Sequence, residues 1–254
     1  MNAVLREILT TESVTDGTRT LPLTHPDFPS LPVHMDAAEG ALLAEIVQAV
    51  NPATSLEIGM AYGISSLYIC EALAALGHPA RHIVMDPFQS TQWRGIGLRN
   101  VARAGYGDLL DFHEARSEFL LPALVEAGTT IEFALIDGWH TFDQVMVEFY
   151  YIDRMLRAGG VVVFDDADRR SVNRVIRYAL NYPHYEAFRT NRPAPDRVSM
   201  RGRLRRVLAR LPGVGRTVRP DILRPDWDLN VFGSCVALRK TGDSSRSSGW
   251  YRDF

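Results

Sequence analysis

Three aspartates, Asp137, Asp165 and Asp166, stand where chemistry would need them. Asp137 ends the run IEFALID, and Asp165-Asp166 end GGVVVFDD. Apolar runs of this kind read as strands buried on both faces of a parallel sheet. In such sheets ligands bind outside the carboxyl ends of the strands. Carboxylates converging there need a cation, a proton or abundant water, and a hard divalent metal held by oxygen ligands is the simplest answer. His140 follows in Asp137-Gly138-Trp139-His140 and can face the same cleft. Histidine titrates near neutral pH, which suits a general base. Plainer readings compete: Asp165 and Asp166 could cap the next helix, and His140 could be a surface residue. Asp143 is a rival base or an orienting partner for His140, while His82 and His113 flank strands and read as structural.

A glycine turn lies upstream, in Leu56-Glu57-Ile58-Gly59-Met60-Ala61-Tyr62-Gly63-Ile64-Ser65. Gly59 lets the backbone approach a ligand closely, and Gly63 lets a helix begin tight against the strand. The free N–H groups of that helix start suit an anion such as a carboxylate. The spacing is neither G-x-G-x-x-G nor a P-loop, so dinucleotide and nucleotide-triphosphate readings are weakened. Asp86 ends the next strand, HIVMD, where an acid bonds a ribose hydroxyl in doubly wound folds. Turn and acid together suggest an adenosine-containing ligand; a ligand-free turn and a helix cap are the bland alternatives.

These residues need a frame. Strands at 54–58, 82–86, about 109–114, 131–137 and 161–166 alternate with helices at 64–76, 93–104, 117–127, 142–156 and 171–180. The last of the long helices before 161 closes at Gly159-Gly160, and YEAFRT and SCVALRK are two late strands. The alternation predicts an α/β doubly wound sheet in a single domain, residues 1–254. Residues 1–33 form an N-terminal arm with a short helix and a proline-rich stretch. Asp36 then caps a helix with Glu39 three residues on, and Leu42, Leu43, Ile46 and Val47 make its buried stripe before Pro52 ends it.

Composition bounds the rest. The 254 residues are 46% hydrophobic and 23% charged, an ordinary globular balance with enough chain for a sizeable core. Net charge is −2, which gives no global case for nucleic acid. Lys240 is the only lysine, so lysine is removed from most catalytic roles. Cys70 and Cys235 form no C-x-x-C pair, in keeping with a reducing cytoplasm. The N-terminus is too polar for a signal peptide, and no apolar run approaches the ~20 residues of a membrane span.

LEIGMAYGISS, HIVMDPF, LIDGWHTFDQV and GGVVVFDDAD, in that order, resemble the class I S-adenosylmethionine-dependent methyltransferases, and among them are similar to the metal-dependent O-methyltransferases. The similarity spans about residues 34–180. It implies a Rossmann-like, seven-stranded, mostly parallel sheet with an antiparallel last strand. It implies that Glu57, Gly59, Gly63 and Ser65 surround the methionine end of S-adenosylmethionine, that Asp86 holds the ribose, and that Arg116-Ser117 line the adenine. Met35, Asp137 and Trp139 join the implied cofactor contacts. Asp137, Asp165 and Asp166 match the family's metal ligands, for Mg2+ or another divalent cation, with Asp137 and His140 as catalytic residues. Catechol and caffeoyl-type enzymes carry lysine as base and asparagine as third ligand. His140 and Asp166 bring this chain closer to the enzymes that methylate sugar hydroxyls on macrolides and other glycosides.

The expected function is therefore Mg-dependent methylation of a sugar hydroxyl on a small-molecule or oligosaccharide acceptor. A catechol or phenolic acceptor is the alternative, with Trp93, Phe88 or Trp139 as an aromatic wall. A non-catalytic cofactor-binding or membrane-associated protein is a second. Residues 191–230 read as an arginine-rich insertion or lid, with eight arginines from Arg197 to Arg219 and with Leu204, Val207, Leu208 and Leu211 at helical spacing. Such a segment can contact an anionic membrane or substrate, or simply cover the cleft. Aromatic residues do not interleave with it, so nucleic acid is not expected. A homodimer using the N-terminal arm is expected from the family.

Overall fold

A computed structural model describes residues 1–33, 35–192, 207 and 224–243. The arginine-rich segment from Arg197 to Arg219 lies outside these residues, apart from Val207. The chain runs α1 (Ala3–Thr11), β1 (Ser13–Thr15), β2 (Thr20–Pro22), α2 (Ala37–Val50), β3 (Thr54–Ile58), α3 (Ile64–Ala74), β4 (Arg81–Met85) and α4 (Ile96–Arg103). It continues with β5 (Leu110–His113), α5 (Ser117–Glu126), β6 (Ile131–Ile136), α6 (Phe142–Met155), β7 (Leu156–Phe164), α7 (Arg170–Ala179), β8 (Tyr185–Thr190) and β9 (Val236–Lys240).

Seven strands make one sheet in the order β5-β4-β3-β6-β7-β9-β8. The first five of these are parallel, and β9 runs antiparallel to both its neighbours. The last strand of the chain is thus the antiparallel one, inserted between β7 and β8. Strand order reverses between β3 and β6, which makes a crevice at their carboxyl ends. Ile136 stands opposite Phe164 across β6 and β7, so Asp137 and Asp165 leave the sheet side by side.

Helices cover both faces. α1 to α4 close one apolar layer, around Leu43, Leu67, Phe133 and Val163. α5 to α7 close the other, around Leu56, Phe149, Ile152 and Phe164. The Asp36 capping box forms as expected, with Glu39 N donating to Asp36 Oδ1 at 2.8 Å and Asp36 N to Glu39 Oε2 at 2.9 Å.

Three features differ from the sequence reading by more than a residue or two. α4 starts at Ile96 rather than 93, because Gly95 takes a left-handed cap. α6 ends at Met155, within one residue of the expected 156, but β7 begins at Leu156 rather than 161, because Leu156 already pairs with Ile131 and the glycines sit in an irregular stretch of the strand. The N-terminal arm holds a small hairpin, β1 with β2, that was not expected. The arm lies on its own chain: Asn2 Nδ2 donates to the Ala104 carbonyl at 3.2 Å, and Arg103 pairs with Glu7 at 3.0 Å. Lys240 is buried, donating to the Leu156 carbonyl at 2.9 Å, and its ammonium lies 3.3 Å from Asp153. It therefore anchors β9 and takes no part in the crevice.

Candidate active site

A cavity of ≈ 1160 Å³ opens at the carboxyl ends of β3, β4, β6 and β7. The turn after β3 forms one wall. Gly59 has φ 89°, and a Cβ there would sit 2.0 Å from the Asp137 carbonyl oxygen, so the backbone of the β6 exit packs directly on it. Met60 N and Ala61 N donate to Asp86 Oδ2 at 3.1 and 2.9 Å, and Phe88 N donates to Oδ1 at 2.8 Å. Asp86 thereby locks the glycine turn to the end of β4 and still borders the cavity. Gly63, also at positive φ, begins α3 against Gly97.

Glu57 does not reach the cavity. Its carboxylate is buried and accepts from Ser65 Oγ, from Ser66 Oγ at 2.7 Å and from His82 Nε2 at 2.7 Å. Leu56 and Ile58 face the opposite side of β3, as strand alternation requires. Glu57 is thus a support beneath the turn, and Gly63 is one too, since neither lines the cavity. Met35, Gly59, Ser65, Asp86, Arg116, Ser117, Asp137, Trp139, His140, Asp165 and Asp166 all do. Arg116 lies over the Trp139 ring, 5.9 Å from its centroid, and Trp139 is 57% exposed, so its face is open to a ligand.

The carboxylates at the β6–β7 end of the cavity divide into two groups. Asp137 and Asp165 are half-buried side by side in the cavity wall, where each carboxyl feels the other. Burial and mutual repulsion push Asp137 well above the usual carboxylate range. Burial, with the charges of Glu39 and Asp166, lifts Asp165 to about 7. Two carboxyls so placed hold protons more tightly than isolated ones do.

Asp166 turns elsewhere. Its backbone is left-handed, at φ 50°, and its carboxylate meets His140 Nε2 at 3.0 Å and Arg169 Nε at 2.8 Å. Burial alone would raise Asp166, but the hydrogen bonds and charges of His140 and Arg169 hold it below its ordinary value. The three aspartates expected to share a cation are therefore not grouped. Among the described residues, no set of three histidine, cysteine, aspartate or glutamate side chains is arranged to hold a metal ion. Instead His140 is oriented by Asp166, and its carbonyl accepts from Ser171 Oγ. With Nε2 turned to the carboxylate, Nδ1 is the ring nitrogen left for another partner.

Other lining residues escaped the sequence reading. The arm folds back over the cavity: Tyr62 OH donates to the Thr24 carbonyl at 2.9 Å, and Gln92 Nε2 to Asp27 Oδ2 at 2.8 Å. This holds Phe28 and Leu31, half exposed or more, on the rim. Trp93, expected as an acceptor wall, lines the cavity but is largely buried, packed edge-on between Tyr62 and His25. Glu39 and Glu148 also border the cavity. Glu148 was legible as an acid inside the apolar stripe of α6, between Val145 and Ile152.

Residues 56–167 match a family model described as a methyltransferase domain. Among solved structures, the chain is similar to the O-methyltransferase from Bacillus cereus in complex with SAH, with 17% identity and a TM-score of 0.59 over 74% of this chain and 83% of that one. It is similar to the O-methyltransferase TomG from Streptomyces achromogenes, involved in tomaymycin synthesis and solved with SAM, with 22% identity and a TM-score of 0.55 over 64% and 75%. A SAH-bound methyltransferase from Podospora anserina matches at 13% identity and a TM-score of 0.60 over 94% and 88%. At these identities the likeness is one of fold.

Proposed function

We propose that this chain transfers a methyl group from S-adenosylmethionine to a hydroxyl of a small-molecule acceptor, and that the hydroxyl belongs to a sugar. One observation carries the reading. The glycine turn held by Asp86 and the pair His140–Asp166 face a single cavity, which has the volume for a cofactor and an acceptor together. Single small-ligand pockets run about 300–1,000 Å³, below the volume found here. The methyltransferase-domain match over residues 56–167 and the cofactor-bound structural neighbours support the same reading.

Each part then has a role. Asp86 and the turn hold the adenosine and methionine ends, and Arg116, Ser117 and Trp139 border the base. His140 Nδ1 accepts the proton of the acceptor hydroxyl, while Asp166 fixes the ring and offsets the charge that develops on it. Asp137, packed on Gly59, keeps the acceptor oxygen near the methyl group, and positioning supplies much of the rate. Two hard carboxyl oxygens, on Asp137 and Asp165, fit a magnesium ion, which commonly takes one or two carboxylates with waters and substrate oxygens. Bound there, the cation would supply positive charge that favours the deprotonated hydroxyl. Asp166 stays with His140 in this reading.

The sugar assignment rests on histidine and aspartate standing where phenol-methylating relatives carry lysine and asparagine. The exposed rings of Phe28 and Trp139 on the cavity rim favour a phenolic acceptor as the second reading. Production of S-adenosylhomocysteine from a panel of sugars, glycosides and catechols, with magnesium and with EDTA, tests both. Magnesium-dependent turnover on a sugar supports the main reading. Turnover on catechols alone selects the phenolic one, and EDTA-insensitive turnover removes the cation from either.

A further inference from the structure

The cofactor end of the cavity holds a carboxyl that the proposed reaction does not use. Glu148 reaches back from α6 toward the loop after β6 and is 1% exposed. Its Oε1 accepts from Ser117 Oγ at 2.8 Å and from Gln144 Nε2 at 3.3 Å. Its Oε2 is buried with no hydrogen-bond partner among the described residues. Buried oxygens without a partner are uncommon, because leaving one costs stability.

Gly138 lies directly over this carboxyl. A Cβ at 138 would stand 3.2 Å from Glu148 Oε1 and 3.2 Å from Ile58 Cγ2. Glycine at 138 thus leaves a narrow gap beside Oε1 of an otherwise enclosed carboxyl, and Gly138, Trp139, Ser117 and Glu148 line the cavity together. A flat heterocycle lying against Trp139 turns an edge toward that gap. The groups around the gap ask for a donor: Ser117 and Gln144 already donate to Oε1, and Oε2 has acceptor capacity to spare.

We propose that Glu148 determines nucleobase specificity, its carboxyl accepting an N–H from the exocyclic amine of the cofactor's adenine through the opening left by Gly138. This rests on reading the cavity as an S-adenosylmethionine site. A base with an oxo group in place of the amine would set lone pair against lone pair. Sites built around a hydrogen bond discriminate strongly for this reason.

Isothermal titration with S-adenosylhomocysteine and S-inosylhomocysteine reads the preference directly. The titrations are run above the value of about 7 to which burial lifts Glu148, so that the carboxylate is an acceptor. Wild type is expected to favour the adenine ligand by about tenfold or more, the scale of a hydrogen bond to a charged group. In Glu148→Gln the side-chain amide can turn a donor to the base, and the ratio is expected to fall toward one or to invert. The ratio is taken within one protein, so a partly inactive preparation does not move it. Should Glu148→Gln fail to fold, Gly138→Ala covers the carboxyl with a methyl and is expected to lower the ratio likewise. An unchanged ratio in the folded variant overturns the role of Glu148 and leaves the cofactor reading intact. Failure of wild type to bind S-adenosylhomocysteine at all overturns both.

Discussion

Asp86, Glu57, Asp137, Asp165 and Asp166 crowd one sheet edge, and each settles its charge differently. Asp86 takes backbone N–H groups, Glu57 takes hydroxyls and an imidazole, Asp137 and Asp165 take each other, and Asp166 takes His140 with Arg169. Of these, the pairing with His140 is the one that sets a carboxylate-held imidazole on the cavity. His140→Ala is expected to lower kcat by about 10²–10⁴-fold, the usual span for a general base. S-adenosylhomocysteine affinity by titration should stay near wild type, and near-wild-type turnover would remove His140 from the role. Glu148 makes a separate prediction about stability. Burial raises it from 4.5 to about 7 in the folded chain. A raised acid stabilises the fold while protonated, so its contribution is complete below about pH 4.5 and is lost as pH rises through about 7, a total of roughly 3 kcal/mol. Asp137 and Asp165 shift in the same sense, so the comparison must be with Glu148→Gln. Urea unfolding across that window should show a shallower decline in the variant, and parallel curves would refute the shift.

Elements, rather than single residues, hold the turn in place. At Gly59 the positive φ and the Asp137 carbonyl leave no room for a side chain. Gly77 has φ +75° and nothing within 4 Å of an added Cβ. Gly77→Ala is thus expected to cost about 1–2 kcal/mol from backbone strain alone. Gly59→Ala should exceed it by roughly 2 kcal/mol or more, because the clash is with backbone that cannot swing aside. Denaturant titration of both variants checks the difference, and equal losses would mean that β6 yields at Asp137. What the sequence could reveal follows the same division. The apolar runs ending at Asp86, Asp137 and Asp165 named their strands, and consecutive βα units put Asp137 beside Asp165. The start of β7 was missed because Gly159-Gly160 reads as a local break, whereas the pairing of Leu156 with Ile131 carries the strand through it. The strands Ser13–Thr15 and Thr20–Pro22 are too short to show a period. Glu57 was readable as pointing away from Leu56 and Ile58, whereas the turn of Asp166 toward His140 depends on one left-handed φ that no pattern encodes.

The whole molecule sets the cavity between two apolar layers and roofs it with its own N-terminal arm. A ligand filling that cavity binds only the folded chain, so its affinity must appear in global stability. S-adenosylhomocysteine at a hundredfold its Kd should add about 2.7 kcal/mol. For a chain of this size that corresponds to a rise of roughly 5–10 °C in Tm. Magnesium gives an independent reading without turnover. If Asp137 and Asp165 hold the cation, magnesium alone should raise Tm relative to EDTA, because it displaces a tightly held proton and relieves the repulsion of two half-buried carboxylates. Asp165→Asn should abolish the magnesium shift while leaving most of the S-adenosylhomocysteine shift. Equal magnesium shifts in wild type and variant would place the cation elsewhere on the surface. No shift in wild type would mean that the pair keeps its proton until an acceptor oxygen completes the coordination, and adding acceptor with magnesium would then be required to raise Tm.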